Sequence, residues 1–290
     1  DVTVAEPPAD PIISINYTGV NHGAVMVGGS KTFGDVFEIS NVGAGNLTIN
    51  SATDLTGTDY STTFDASVSL ATGESHAFGF TYSPSDIGFD DVTFSISSNG
   101  GDVDVALSGA GYGADYINEG FEDAFPPAGW EANIMSGSYN WEQSSYWGSW
   151  DPEGTGSYTA LYNTFYASSG SSAEMITPRL DFTGSASNIL TFLYVGTGDL
   201  LNIDVSDDGG TTWYDVADIS DHTNYYIVNY AYDLSAYTSN NVIIKFTAVS
   251  AYQYRMAMDE VKFPPAYVSA DPPAVVINEF DTNTSSAEYL

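Results

Sequence analysis

The sequence predicts an all-β protein built from two β-sandwich domains. Helical periodicity is almost absent, and short runs with apolar residues two apart recur throughout, separated by Gly, Asn, Asp and Ser clusters. The chain has 290 residues, which at roughly 100–200 residues per domain is room for about two cores. Hydrophobic residues make up 43% and aromatics 14%, too rich a mixture for a disordered chain. No apolar run approaches the ~18 residues that a membrane span needs.

Residues 1–11 contain three prolines in a polar context and read as an extended lead-in. Five runs follow with one clear face each: Phe37 and Ile39; Leu47 and Ile49; Phe78, Phe80 and Tyr82; Val92, Phe94 and Ile96; and Val103, Val105 and Leu107. That spacing is what a half-buried antiparallel strand requires. About seven such strands in ~100 residues is the pattern of an immunoglobulin-like sandwich, placed at 12–112. Gly109-Ala110-Gly111-Tyr112-Gly113 closes the series, and a Tyr- and Trp-rich composition begins after it.

The second domain is placed at 113–264. Ile189–Val195 is apolar on both faces and therefore central to its sheet, and Leu201, Ile203 and Val205, then Val242, Ile244, Phe246 and Ala248, add one-faced strands. These suit a larger two-sheet sandwich or jelly roll. Met256 and Met258 lie in one phase while Val261 and Phe263 lie in the other, so a β-bulge is expected at Asp259-Glu260. Prolines bracket a stiff linker at 265–273. The remaining piece, 274–290, opens with the single strand-like run Ala274–Phe280, which has no partner in sequence.

Five Lys and Arg against 38 Asp and Glu give a formal net charge of −33. Nucleic acid is excluded as a partner, anionic lipid surfaces are disfavoured, and hard cations such as calcium are favoured. Without cysteine there is no disulfide, thiolate nucleophile or thiolate metal site. The chain starts at Asp1 with no charged n-region before an apolar core, which reads as a processed product.

Pro11 to Tyr112 resembles the choice-of-anchor D type of immunoglobulin-like domain of bacterial surface proteins. The residues that carry this are Gly23, Val27-Gly28, Phe37 to Gly43 followed by Leu47, Phe80 to Pro84 with Gly88, and Leu107 to Gly111. Residues 116–263 resemble the choice-of-anchor J or cleaved-adhesin domain, a MAM-like jelly roll. Here the signature is Asn118 to Glu122 with Pro126 to Trp130, supported by Trp141, Ala160-Leu161-Tyr162, Ile176 to Asp181 and Met258 to Val261. Val275 to Asp281 is similar to the opening strand of a lamin-tail domain. These resemblances imply extracellular, non-enzymatic, adhesive or structural modules.

Enzyme chemistry fails on inventory. His22, His76 and His222 are the only imidazoles, and neither a Gly-x-Ser-x-Gly elbow nor a phosphate-binding glycine loop occurs. The opening and closing strands of a jelly roll lie near one another, so Glu119, Glu122 and Asp123 are expected to approach Asp259. The group is either a structural calcium site or a solvated acidic rim. The cleaved-adhesin resemblance implies calcium here, with Glu122 and Asp259 the best-matched positions. Ser206 to Trp213 resembles an Asp-box hairpin, expected to be a turn stabiliser. Tyr146, Trp147 and Trp150, in a Ser- and Gly-rich stretch, are candidates for stacking on glycans or for a protein interface, while Trp141 is expected inside. Tyr225, Tyr226, Tyr230 and Tyr232 read as cross-strand packing.

The expectation is an extracellular bacterial cell-surface protein, structural or adhesive and not an enzyme. It is expected to self-associate head-to-tail into a filament in which Val275, Val276, Ile277 and Phe280 complete a neighbour's sheet edge. The alternatives are that this segment folds back on its own domain, or that the chain is a glycan-binding accessory module of a larger secreted enzyme or adhesin. Glycans or host surface proteins are the other partners considered.

Overall fold

The computed structural model describes residues 10–145, 156–185, 188–220, 227–264 and 267–268, and every regular element among them is a strand. The N-terminal sandwich faces a sheet of order β1 (Ile13–Ile15), β3 (Lys31–Asn41), β7 (Ser75–Tyr82) and β5 (Tyr60–Thr62) against a second sheet. The second runs β2 (Gly19–Met26), β9 (Gly101–Tyr112), β8 (Gly88–Ser98), β4 (Leu47–Ala52) and β6 (Ser69–Leu70). The runs read from sequence fall on β3, β4, β7, β8 and β9, and their inward residues build the core. There Phe80 meets Phe37 and Phe94 edge-on, with ring centres 5.1 and 5.2 Å apart, the geometry that aromatic quadrupoles favour.

Nine strands stand where about seven were expected. One stretch changes sheets between Ile15 and Gly19, so that β1 pairs antiparallel with β3 and β2 runs parallel to β9. β5 and β6 have three and two residues, too few to display an alternation.

The C-terminal sandwich has one sheet of order β12 (Glu142–Ser144), β13 (Thr159–Tyr162), β21 (Met256–Phe263), β16 (Ile189–Val195) and β19 (Val228–Asp233), with β10 (Ile117–Glu119) also on β21. The facing sheet runs β11 (Glu131–Ser136), β14 (Ser172–Ile176), β20 (Ile243–Val249), β17 (Leu200–Ser206) and β18 (Tyr214–Ile219). β16 is buried along its whole length between β21 and β19, as its two apolar faces require. Tyr230 and Tyr232 of β19 stack on Phe192 at 5.8 and 6.1 Å, the cross-strand packing expected of them. Tyr225 and Tyr226 lie outside the described residues.

The bulge is where the hydrophobic phase demanded it. Thr191 faces Lys262 but Leu193 faces Asp259, so β21 carries one extra residue, and Glu260 takes a φ of 49°. The insertion turns Met256, Met258, Val261 and Phe263 all into one core. One correction concerns the stretch read as a linker: Tyr267–Val268 forms β22, paired with β15 (Arg179–Leu180). Two residues between prolines can still bond a neighbouring strand, because proline removes only its own donor.

Candidate functional site

The bulge positions an acidic rim. β21 pairs with β13 through Met256–Met258 and with β10 through Val261–Phe263, so Asp259 and Glu260 sit where its partner changes. Both are almost fully buried, 6% and 4% exposed. Glu260 accepts from Asn118 Nδ2 and, at 3.1 Å, from Lys262 Nζ. Asp259 Oδ1 accepts the Glu260 amide at 2.8 Å. On the incoming side Glu119 Oε1 accepts the Phe121 amide at 2.7 Å. Burial raises the Glu119 carboxyl above its ordinary range, against the pull of that amide. Glu122 Oε1 accepts the amides of Ser157 and Tyr158, both at 2.8 Å, and Gln143 Nε2 clamps the carbonyls of Phe121 and Asp123 at 2.6 and 2.7 Å.

Gly120 stands at the centre of this rim. A Cβ there would lie 3.3 Å from Glu260 Oε1 and 3.9 Å from Asp259 Oδ1. The donors are the hard oxygens that calcium takes. Yet among the described residues no three Asp, Glu or His side chains converge as metal ligands, and the Lys262 ammonium already meets one Glu260 oxygen. The rim thus holds the right atoms in an open arrangement.

The other sequence candidates are distributed elsewhere. Trp141 is buried and donates its indole N–H to the Ala173 carbonyl at 3.3 Å. In the turn between β17 and β18, Asp208 Oδ1 accepts the amides of Thr211 and Thr212 at 2.9 and 2.8 Å, and these bonds hold its carboxyl below the usual range. Lys245 Nζ sits 4.1 Å from the Trp213 ring centre. This is the turn-stabilising reading. Tyr146, Trp147 and Trp150, together with Val275, Val276, Ile277 and Phe280, lie outside the described residues.

Sequence reasoning missed how the two sandwiches meet. β2 and β19 are both sheet-edge strands, and they cover each other: Asn229 Nδ2 donates to the Ala24 carbonyl at 3.4 Å. Gly23 has a φ of 68°, and a Cβ on it would lie 2.9 Å from Asn229 Cβ. Lys262 reaches over the Tyr112 ring at 5.5 Å, Tyr112 packs on Tyr116, and the Tyr116 hydroxyl accepts the Ile189 amide at 3.3 Å. A cleft of about 630 Å³ opens beside this joint, lined by Met26, Lys31, Phe33, Tyr112, Leu193 and Asn229 among others. The one available signal was Gly23, a glycine in the apolar run before Val25.

A second unforeseen cluster lies inside the N-terminal sandwich. His22 is fully buried, and its ring meets Phe33, Tyr60 and Tyr82 at 5.1, 5.5 and 5.8 Å. Burial lowers its pKa from the ordinary 6.5, only partly opposed by the backbone of Phe80 and Ser108. Tyr82 donates its hydroxyl to Asp90 Oδ2 at 2.6 Å and Tyr60 to the Asp90 carbonyl at 2.7 Å. The imidazole is thus neutral core packing.

No family model matches the chain, and no curated protein does. Among solved structures it is similar to the K1 cleaved adhesin domain of Lys-gingipain from Porphyromonas gingivalis W83, at 14% identity and a TM-score of 0.41, over 51% of this chain and 96% of that one. It is also similar to TmCBM61, solved in complex with beta-1,4-galactotriose, at 13% identity and a TM-score of 0.37, over 50% of this chain and 92% of that one. A third similarity is to the ASH/PapD-like domain 7 of human CEP192, at 14% identity and a TM-score of 0.30, over 39% of this chain and 94% of that one.

Proposed function

We propose that the chain is an extracellular, non-enzymatic structural or adhesive module of a bacterial cell surface. The observation that carries this reading is the joint. Two sandwiches that touch edge strand to edge strand, with a glycine fitted to Asn229 and a lysine bridging to Tyr112, make a stiff unit of fixed length rather than two beads on a tether. A stiff unit suits transmission of load. In the finer form of the proposal, copies join head-to-tail into a filament, Ala274–Phe280 of one copy completing a sheet of the next. The apolar, β-branched character of that run is the support. Electron microscopy and sedimentation of the full chain, compared with a chain ending at Pro273, test it. Fibres that vanish on truncation support donation, and fibres that persist refute it.

Calcium at the Gly120 rim is a further part of the proposal. A hard cation there would draw the Glu119–Glu122 segment toward Asp259 and stiffen the sandwich without chemistry. A melting temperature unmoved by millimolar calcium or by a chelator removes it.

The second reading is glycan binding. Tyr139 and Tyr158, exposed at 37% and 39%, flank in sequence the stretch that holds Tyr146, Trp147 and Trp150. Polysaccharide pull-down that is lost in the Trp147→Ala, Trp150→Ala double variant would favour it.

A further inference from the structure

The sheet edges differ sharply in how they are protected. β1, β5, β6 and β12 have three residues or fewer, too short to template another chain. β2 and β19 cover each other at the joint. β18 is six residues long but carries Asp215 and Asp218, both accepting from Asn202 at 3.0 and 2.9 Å, and its register is broken by a bulge against β17. Charges and bulges are the usual guards of an edge.

β11 carries fewer guards along Glu131–Ile134, and its register with β14 breaks only after that stretch. Among the described residues it pairs with β14 alone. Glu131 is its sole charge, it has no proline, and its register with β14 stays regular as far as Ile134. Asn140 Nδ2 caps the Ala132 carbonyl at 2.9 Å, but from Asn133 to Tyr139 every residue is exposed. Ile134 and Met135 are 47% and 58% exposed. They stand at the register break, so an exposed apolar pair marks the end of the regular stretch of β11. An exposed apolar edge of this kind invites an added strand.

We infer that β11 is the acceptor edge, and that its occupant is Ala274–Phe280 of a second copy. This rests on the strand-donation reading and names its receiving site. The run Ala-Val-Val-Ile-Asn-Glu-Phe is one residue longer than β11, has one charge, and follows Pro272-Pro273. Its branched residues would cover the exposed Ile134 and Met135. In a chain of net charge −33, two copies approach only where local charge is low, and each of these segments carries a single carboxylate.

Two measurements on the full chain test the assignment. First, Ile134→Lys and, separately, Met135→Lys place a gatekeeper charge on an exposed edge, where the fold tolerates it. Each should raise the concentration needed for polymerisation by about tenfold or more, with circular dichroism unchanged. Second, the native chain has no cysteine, so single-cysteine chains carrying Asn133→Cys and Val276→Cys, when mixed and oxidised, should form a disulfide between copies. Polymerisation unchanged in both lysine variants overturns β11 as the acceptor. If truncation at Pro273 still abolishes fibres, only the receiving edge is wrong; if truncation also has no effect, strand donation itself fails. A doubly substituted chain that closes its disulfide internally, while mixed single variants do not cross-link, overturns the second copy in favour of the chain's own segment.

Discussion

Replacing Gly23 by Ala tests how the two sandwiches are joined. At a φ of 68°, an L side chain costs roughly 1–2 kcal/mol from its own backbone. The new methyl would also sit 2.9 Å from Asn229 Cβ and 3.1 Å from Asn229 Cγ, well inside the ~3.5–4.0 Å of a good carbon contact. Overpacking of this kind adds about 1–3 kcal/mol, so Gly23→Ala should cost about 2–5 kcal/mol in all. Asn229→Gly removes the opposing atoms and leaves the backbone penalty. In that background the same substitution should cost only about 1–2 kcal/mol, a coupling that a double-mutant cycle reads directly. Urea unfolding followed by circular dichroism gives the four free energies. If Gly23→Ala costs the same whether position 229 is Asn or Gly, the contact between the sandwiches is not what requires glycine, and the stiff joint loses its main support.

Three other outcomes follow from the same geometry. The unfolded chain protonates His22 near pH 6.5, whereas the buried ring does so only at lower pH. The unfolded state therefore binds more protons in between, and stability falls as pH drops below 6.5. His22→Leu should flatten that slope in acid-unfolding curves taken from pH 7 downward, with Lys31, Tyr60, Tyr82 and Asp90 as the other polar groups around the cluster; a slope that persists unaltered contradicts a neutral buried imidazole. Phe94→Ala empties a fully buried site packed against Phe78, Phe80 and Phe64, and should cost about 3–5 kcal/mol in chemical denaturation. Asp208→Ala strips the acceptor from the Thr211 and Thr212 amides, so hydrogen exchange at those two amides should accelerate while the rest of β17 and β18 keeps its protection; unchanged exchange would mean the turn holds without the carboxylate.

Much of the fold was legible because the side-chain period of two leaves little freedom wherever one face is buried. Phe94 and Ile96 could be assigned inward from spacing alone, and the phase change from Met258 to Val261 located a bulge to within a residue. What stayed illegible depended on contacts distant in sequence. Gly23 reads as a turn glycine until Asn229 is placed 206 positions later against it. β5 and β6 are too short to carry a pattern, and β2 leaves its parent sheet at a point no local signal marks. At the acidic rim, the jelly-roll order predicted that Glu119, Glu122 and Asp123 approach Asp259, but it did not foresee that the Lys262 ammonium meets Glu260 there. Edge status was equally hidden: the run Asn133-Ile134-Met135 is unremarkable until the sheet order leaves it outermost.

Sedimentation velocity of the full chain beside the chain ending at Pro273, at matched concentration and with microscopy of both, tests the central claim most directly. Strand-linked assembly predicts long polymers from the first and folded single particles from the second. Single particles from both, or identical polymers from both, would contradict it.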